Sequence, residues 1–133
     1  MIGRGTGQGL YIGRDIVATV VSTNADGIEL LVEAPNGVVV TVGGESAAEH
    51  VRAQFEAENA ANRPGRSART VKVKKRESVR VGRGIALVAM GERGGEWVLG
   101  IEAPRHVAVS RDDFTMAEHL QFVEEREARK GRR

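Results

Sequence analysis

The chain lacks cysteine altogether and carries one tryptophan, one tyrosine and three phenylalanines among its 133 residues. Without cysteine there are no disulfide staples, no Cys-ligated zinc, no iron–sulfur cluster and no thiol nucleophile. So few aromatic rings argue against a large aromatic pocket or a long platform of stacked bases. No apolar run approaches the roughly 18–20 residues of a membrane span. The N-terminus shows no basic segment followed by an apolar one, so no secretory signal is read and a cytoplasmic protein without a membrane partner is expected. No Ser/His/Asp set and no motif-held pair of carboxylates emerges, which leaves no catalytic residue to name and no enzyme to expect. His50 and His119 each sit beside a glutamate but have no second ligand nearby, so neither a metal nor another cofactor is expected. Gly3, Gly5, Gly7 and Gly9 are no phosphate-binding loop, because only Met1-Ile2 precedes them where a strand is needed.

What is present is an ordinary globular composition, 41% hydrophobic and 29% charged with 17 glycines, enough for one domain or two very small ones. The net charge of +2 conceals a division. Up to residue 62 only Arg4, Arg14 and Arg52 oppose Asp15, Asp26, Glu29, Glu33, Glu45, Glu49, Glu56 and Glu58. Between Arg63 and Arg83, by contrast, nine basic side chains meet the lone acid Glu77, and the chain closes on Arg129, Lys130, Arg132 and Arg133. Segregated charge of this kind suits a polyanionic partner for one part of the molecule; the plainer reading is a solvated linker and a basic tail.

Shifted by 69 positions, the chain matches itself without a gap. Gly13-Arg14 falls on Gly82-Arg83, Glu33-Ala34-Pro35 on Glu102-Ala103-Pro104, Val38 and Val40 on Val107 and Val109, and Ala48-Glu49-His50 on Ala117-Glu118-His119. We read a tandem duplication: a first repeat over 1–62, a basic linker over 63–68, a second repeat over 69–127 and a basic tail over 128–133. In each repeat β-branched runs alternate with turn residues. Expected strands are 16–21, 28–32 and 38–42 in the first copy, and 85–90, 97–101 and 107–109 in the second, as an antiparallel meander. A helix closes each copy, opened by the capping boxes Ser46-Ala47-Ala48-Glu49 and Thr115-Met116-Ala117-Glu118. Helical spacing predicts buried faces of Ala48, Val51 and Phe55 in one and Ala117, Leu120 and Val123 in the other. Trp97 is expected in the core. Roughly 55 residues bury little by themselves, so the copies are expected to share one core.

The segment Gly100-Ile101-Glu102-Ala103-Pro104-Arg105-His106-Val107-Ala108-Val109-Ser110-Arg111-Asp112-Asp113-Phe114 resembles the carbon storage regulator (CsrA/RsmA) family of small bacterial RNA-binding translational regulators. Val81-Gly82-Arg83-Gly84-Ile85 and the opening Ile2-Gly3-Arg4-Gly5-Thr6-Gly7-Gln8-Gly9-Leu10-Tyr11-Ile12-Gly13 are similar to that family's strand signatures. The resemblance implies a mainly β fold with two short helices, made of two β-β-β-β-β-α repeats that interleave as an intrachain pseudo-dimer, monomeric as a chain. It implies an RNA site where the first strand of one copy lies beside the fifth strand of the other, reading a GGA triplet in an mRNA leader or small RNA.

Carried over, Ile2 and Arg4 join Val109, Ser110 and Arg111 in a first site with all expected residue types. Arginine suits such a site because its planar fork binds phosphate or guanine bidentately. The second site pairs Val71-Lys72-Val73-Lys74 with Val40-Thr41-Val42, and there Val42 stands in the arginine position, so one competent site is expected. Lys72, Lys74 and Arg105 are candidate secondary phosphate contacts. Three readings stand: an RNA-binding regulator, a protein-interaction module of the same fold that has lost RNA and acts as a partner or antagonist, and a hydrolase or metal enzyme whose catalytic groups are not found.

Overall fold

Strands form where β-branched residues alternate with polar ones, and burial follows the alternation: Ile16, Ala18 and Val20 are buried while Val17 and Thr19 between them are partly open. The computed structural model describes residues 2–42, 47–60, 65–82, 84–111 and 116–130. In chain order these form β1 (Ile2–Arg4), β2 (Gly9–Ile12), β3 (Ile16–Thr23), β4 (Gly27–Pro35), β5 (Val40–Val42), α1 (Ala47–Ala60), β6 (Arg66–Lys74), β7 (Ser78–Val81), β8 (Ile85–Arg93), β9 (Glu96–Glu102), β10 (Val109–Arg111) and α2 (Met116–Lys130). Among the described residues the protein is therefore mainly β, with two helices and two antiparallel sheets.

The sheets have the orders β1-β9-β8-β7-β5 and β10-β2-β3-β4-β6. Each takes its three central strands from one half of the chain and both edge strands from the other. The registers repeat at the offset of 69 read from the sequence. Ile2 faces Leu99 as Val71 faces Leu30, and Val40 faces Val81 as Val109 faces Ile12. Even the bulges correspond, between Val20 and Ser22 in one sheet and between Ala89 and Gly91 in the other. A bulge adds one unpaired residue, which is why the apolar Val21 and Met90 are exposed. The buried faces of both sheets meet in one hydrophobic cluster that runs from Leu10 and Leu30 to Leu87, Trp97 and Leu99. Trp97 lies in the core as expected.

Three expectations need correction. The segment read as a linker over 63–68 is strand from Arg66, where Arg66, Ser67 and Ala68 pair with Pro35, Ala34 and Glu33 of β4. The tail expected from 128 begins as helix, since α2 runs to Lys130. Helix burial also differs in part: Val51 and Phe55 are 65% and 58% exposed and Ala117 is exposed, while the polar His50 and Gln54 of α1 and His119 of α2 are buried; in α2, Val123 is buried as expected and Leu120 partly so. The cap residues Ser46 and Thr115 lie outside the described residues.

The buried histidines explain the difference. His50 Nδ1 lies 2.8 Å from Thr41 Oγ1, and its Nε2 lies 2.8 Å from the Gly82 carbonyl oxygen. His119 repeats this with Ser110 Oγ at 2.7 Å and the Gly13 carbonyl oxygen at 2.6 Å. A carbonyl oxygen only accepts, so Nε2–H donates to it, in the tautomer that leaves Nδ1 to accept the hydroxyl proton. Gly13 and Gly82 carry φ of 61° and 55°, a left-handed turn suited to glycine that turns each carbonyl toward its helix. Each histidine thus ties a helix to the strand before it and to a turn in the opposite half. Gln54 adds two bonds, accepting from Val39 N at 2.7 Å and donating to the Gly37 carbonyl at 2.9 Å.

Removing one clasp leaves buried partners unpaired and a cavity. His119→Ala should lower unfolding free energy in urea by about 2–4 kcal/mol, and Val51→Ala by less than about 0.5; equal effects would contradict the clasp. A Cβ on Gly27 would fall 2.2 Å from the Val73 carbonyl oxygen, across the pairing of the two halves. Gly27→Ala should therefore destabilise by about 1–3 kcal/mol. Gly5→Ala, whose Cβ would meet only the Gln8 side chain at 3.3 Å, should be nearly neutral.

Candidate nucleic-acid interface

Two short edge strands define one margin of the molecule. β1 borders the first sheet and β10 the second, and between them opens a cleft of about 420 Å³ that brings Ile2 together with Val109, Ser110 and Arg111. Residues from the opening and the last strand of the chain, more than 100 positions apart, thereby share one surface. α2 forms the other wall, with Phe122, Glu125 and Arg126. Arg126 Nη1 donates to the Arg105 carbonyl at 3.2 Å, which holds that wall against the turn before β10.

The candidate residues do not behave alike. Arg111 is exposed, and Ile2 and Val109 are half-buried against the edge of the core. Arg4 is only 4% exposed and does not line the cleft. Its Nε donates to the Gly3 carbonyl at 2.8 Å, and it stands opposite Trp97 in the β1–β9 pair. Period-two alternation explains this: Ile2 and Arg4 share the inward side of their strand, as Val71 and Val73 do in β6, and Arg4 is the deeper of the two. Ser110 is buried and its hydroxyl is bonded by His119, so its side chain serves the clasp.

Lys72 and Lys74 are exposed, but on β6, the edge of the second sheet opposite β10. They flank a smaller depression of about 270 Å³ whose rim includes Asp26 and Glu29. Of the secondary candidates only Arg105, exposed in the turn before β10, borders the cleft side. At the opposite margin, where β5 and β6 approach, Arg69 Nη1 donates to the Val40 carbonyl, so that edge is bonded from within the chain. Val42 is half-buried there, and Gly43-Gly44, beside it in sequence, lie outside the described residues.

Sequence reasoning missed Phe122 and Arg126. Their helical spacing of four places them on one face of α2, but the sequence does not state that this face borders the cleft. Among the described residues no group of three or more His, Asp or Glu side chains is disposed to hold a metal ion. No described helix is long and apolar enough to cross a membrane. Compared with known proteins, the chain matches no family model, no curated protein and no solved structure.

The two arginines should respond differently to truncation. Arg111→Ala should remove an exposed guanidinium from the cleft without changing the urea midpoint. Arg4→Ala should act the other way, destabilising the fold by about 1–3 kcal/mol through loss of a buried, hydrogen-bonded side chain. Parallel urea curves for the two variants check both.

Proposed function

We propose that the protein is an RNA-binding post-transcriptional regulator resembling the carbon storage regulators, a single-chain counterpart of their interleaved dimer with one competent site. Supporting the fold part of this reading, each sheet combines three strands of one half with two edges of the other, at one constant offset. The observation that carries the functional part is the convergence of Ile2 with Val109 and Arg111 in one open cleft. The arginine equivalent is absent from the other margin, where Val42 stands.

An exposed guanidinium beside a half-buried apolar floor suits an unpaired base and its phosphate. Duplex RNA hides its base edges in a deep groove, so a hairpin loop is the natural substrate. A GGA-bearing leader hairpin is the expected ligand, and occlusion of ribosome access the expected consequence. The exposed bases Lys72, Lys74, Arg66 and Arg69 along β6 add long-range attraction for the polyanion, not recognition. Expected compartment and partners follow from this reading: cytoplasm, RNA, no cofactor and no catalysis.

A second reading, a protein-interaction module that acts as a partner or antagonist, is favoured by one observation. Val51 and Phe55 are exposed beside a groove of about 390 Å³ between α1 and the β7–β8 side of the first sheet.

Gel-shift titration with a GGA hairpin against a GGC control separates the two. The first reading predicts selective binding at one RNA per chain. It also predicts a loss of about 1–3 kcal/mol for Arg111→Ala and almost none for Val42→Ala. Absence of selective binding, or equal losses from both substitutions, would overturn the one-site proposal.

A further inference from the structure

The cleft has a wall that the composite-strand site does not account for. Phe122 and Arg126 lie one helical turn apart on α2, and both line the cleft opposite Ile2. Phe122 is 38% exposed; of the other rings among the described residues, Trp97 is buried, Tyr11 is half-buried with its ring 5.4 Å from that of His119, and Phe55, 58% exposed, lies on α1 away from the cleft. Position by position, the other margin carries none of this. At the offset of 69, Arg105, Arg111, Phe122 and Arg126 correspond to Asn36, Val42, Ala53 and Ala57. The structural residues by contrast keep their chemistry, Ser110 with Thr41, His119 with His50 and Gly13 with Gly82. These three cationic groups and this ring thus have no equivalent at the corresponding positions of the other margin, whose own exposed cations lie along the edge strand β6 instead.

We propose that α2 is a second recognition wall, on which one unpaired nucleobase flanking the core triplet stacks against Phe122 while its phosphate is held by Arg126. The inference rests on the RNA-binding reading above and extends its footprint by a nucleotide. Every base has a π face, so a stacking position tolerates sequence while requiring that the base be present and unpaired. Arg126 is placed for the phosphate because its bond to the Arg105 carbonyl fixes its stem beside the cleft and leaves further guanidinium donors. Glu125, on the same wall, disfavours a phosphate at its own position and so biases the backbone toward Arg126. The ligand class that follows is a hairpin loop longer than the triplet alone, with an unpaired neighbour.

The test compares wild type, Phe122→Leu, Phe122→Ala, Arg126→Ala and Arg111→Ala on three RNAs: a GGA hairpin with an unpaired adenine on each side of the triplet, and the same hairpin with one or the other adenine made abasic. Phe122→Leu keeps the apolar volume and removes the ring; its urea midpoint should match wild type. For wild type, one of the abasic replacements should weaken binding roughly 5- to 150-fold. Phe122→Leu should lose a similar factor on the intact hairpin and be indifferent to that replacement. Arg126→Ala should lower the slope of log Kd against log salt by about 0.7. A wild type that binds selectively, loses affinity with Arg111→Ala and ignores both Phe122→Leu and the abasic positions would overturn the wall while sparing the composite site. A wild type that fails to bind any of the three RNAs would overturn both. Should Phe122→Leu abolish capture of a defined protein partner and leave RNA affinity intact, the wall belongs to protein contact and the inference is wrong.

Discussion

Neither half of this chain can complete a sheet alone, and most of what the molecule offers at its surface follows from that. Three consecutive strands with one apolar face leave two edges open and half a core uncovered. The remedy is exchange: β1 and β5 edge the sheet of the second half, and β6 and β10 edge that of the first. The apolar faces then close on one cluster. Exposed strand edges invite pairing with other chains. Here the short edges β1, β5 and β10 have three residues each, and the long edge β6 is lined with Arg66, Arg69, Lys72 and Lys74. Exchange also decides the location of the cleft, because it sets the first strand of the chain beside the last.

The two halves of the chain share one frame, yet the two margins differ. The frame has stayed alike where it bears on stability: the bulges, the paired registers and the two histidine clasps all correspond. The sides diverge in the residues that face outward. One margin carries Arg111, Phe122 and Arg126, while the other carries Val42, Ala53 and Ala57 and an Arg69 guanidinium turned onto the Val40 carbonyl. The second helix differs too: Arg14 and Glu127 meet at 2.6 Å in an exposed pair that raises the Arg14 pKa above its ordinary value. Such a pair adds little to stability in water.

Much of the architecture was legible in the residues, and the reasons for the failures are specific. Strands were marked by β-branched alternation at 16–21, 28–32, 85–90 and 97–101, all of which lie within observed strands. Strand β6 was hidden at its start because Arg66, Ser67 and Arg69 are polar and follow Pro64-Gly65, and the buried apolar alternation begins only at Val71 and Val73. The α1 face was misread because polar side chains hold it down: His50 and Gln54 are buried through hydrogen bonds, which hydrophobic periodicity does not register. The clue lay in the repeat itself, where a histidine recurs nine residues after a hydroxyl residue in both copies. Arg4 was read from residue type, whereas its place beside Ile2 on the inward side of β1 decides its burial. Of the residues that resemblance grouped, Ile2 and Val109 to Arg111 share the cleft and Arg4 does not; α2 as its wall depends on where a helix docks, and no local pattern states that.

The most direct measurement is backbone amide chemical-shift mapping of the isotopically labelled protein titrated with a GGA hairpin. Saturable shifts confined to Ile2, residues 108–111 and the Phe122–Arg126 turn of α2, with Val40–Val42 and β6 unmoved at saturation, are predicted for a single cleft built by strand exchange. Shifts spread equally over both margins, or centred on Lys72 and Lys74, would contradict it.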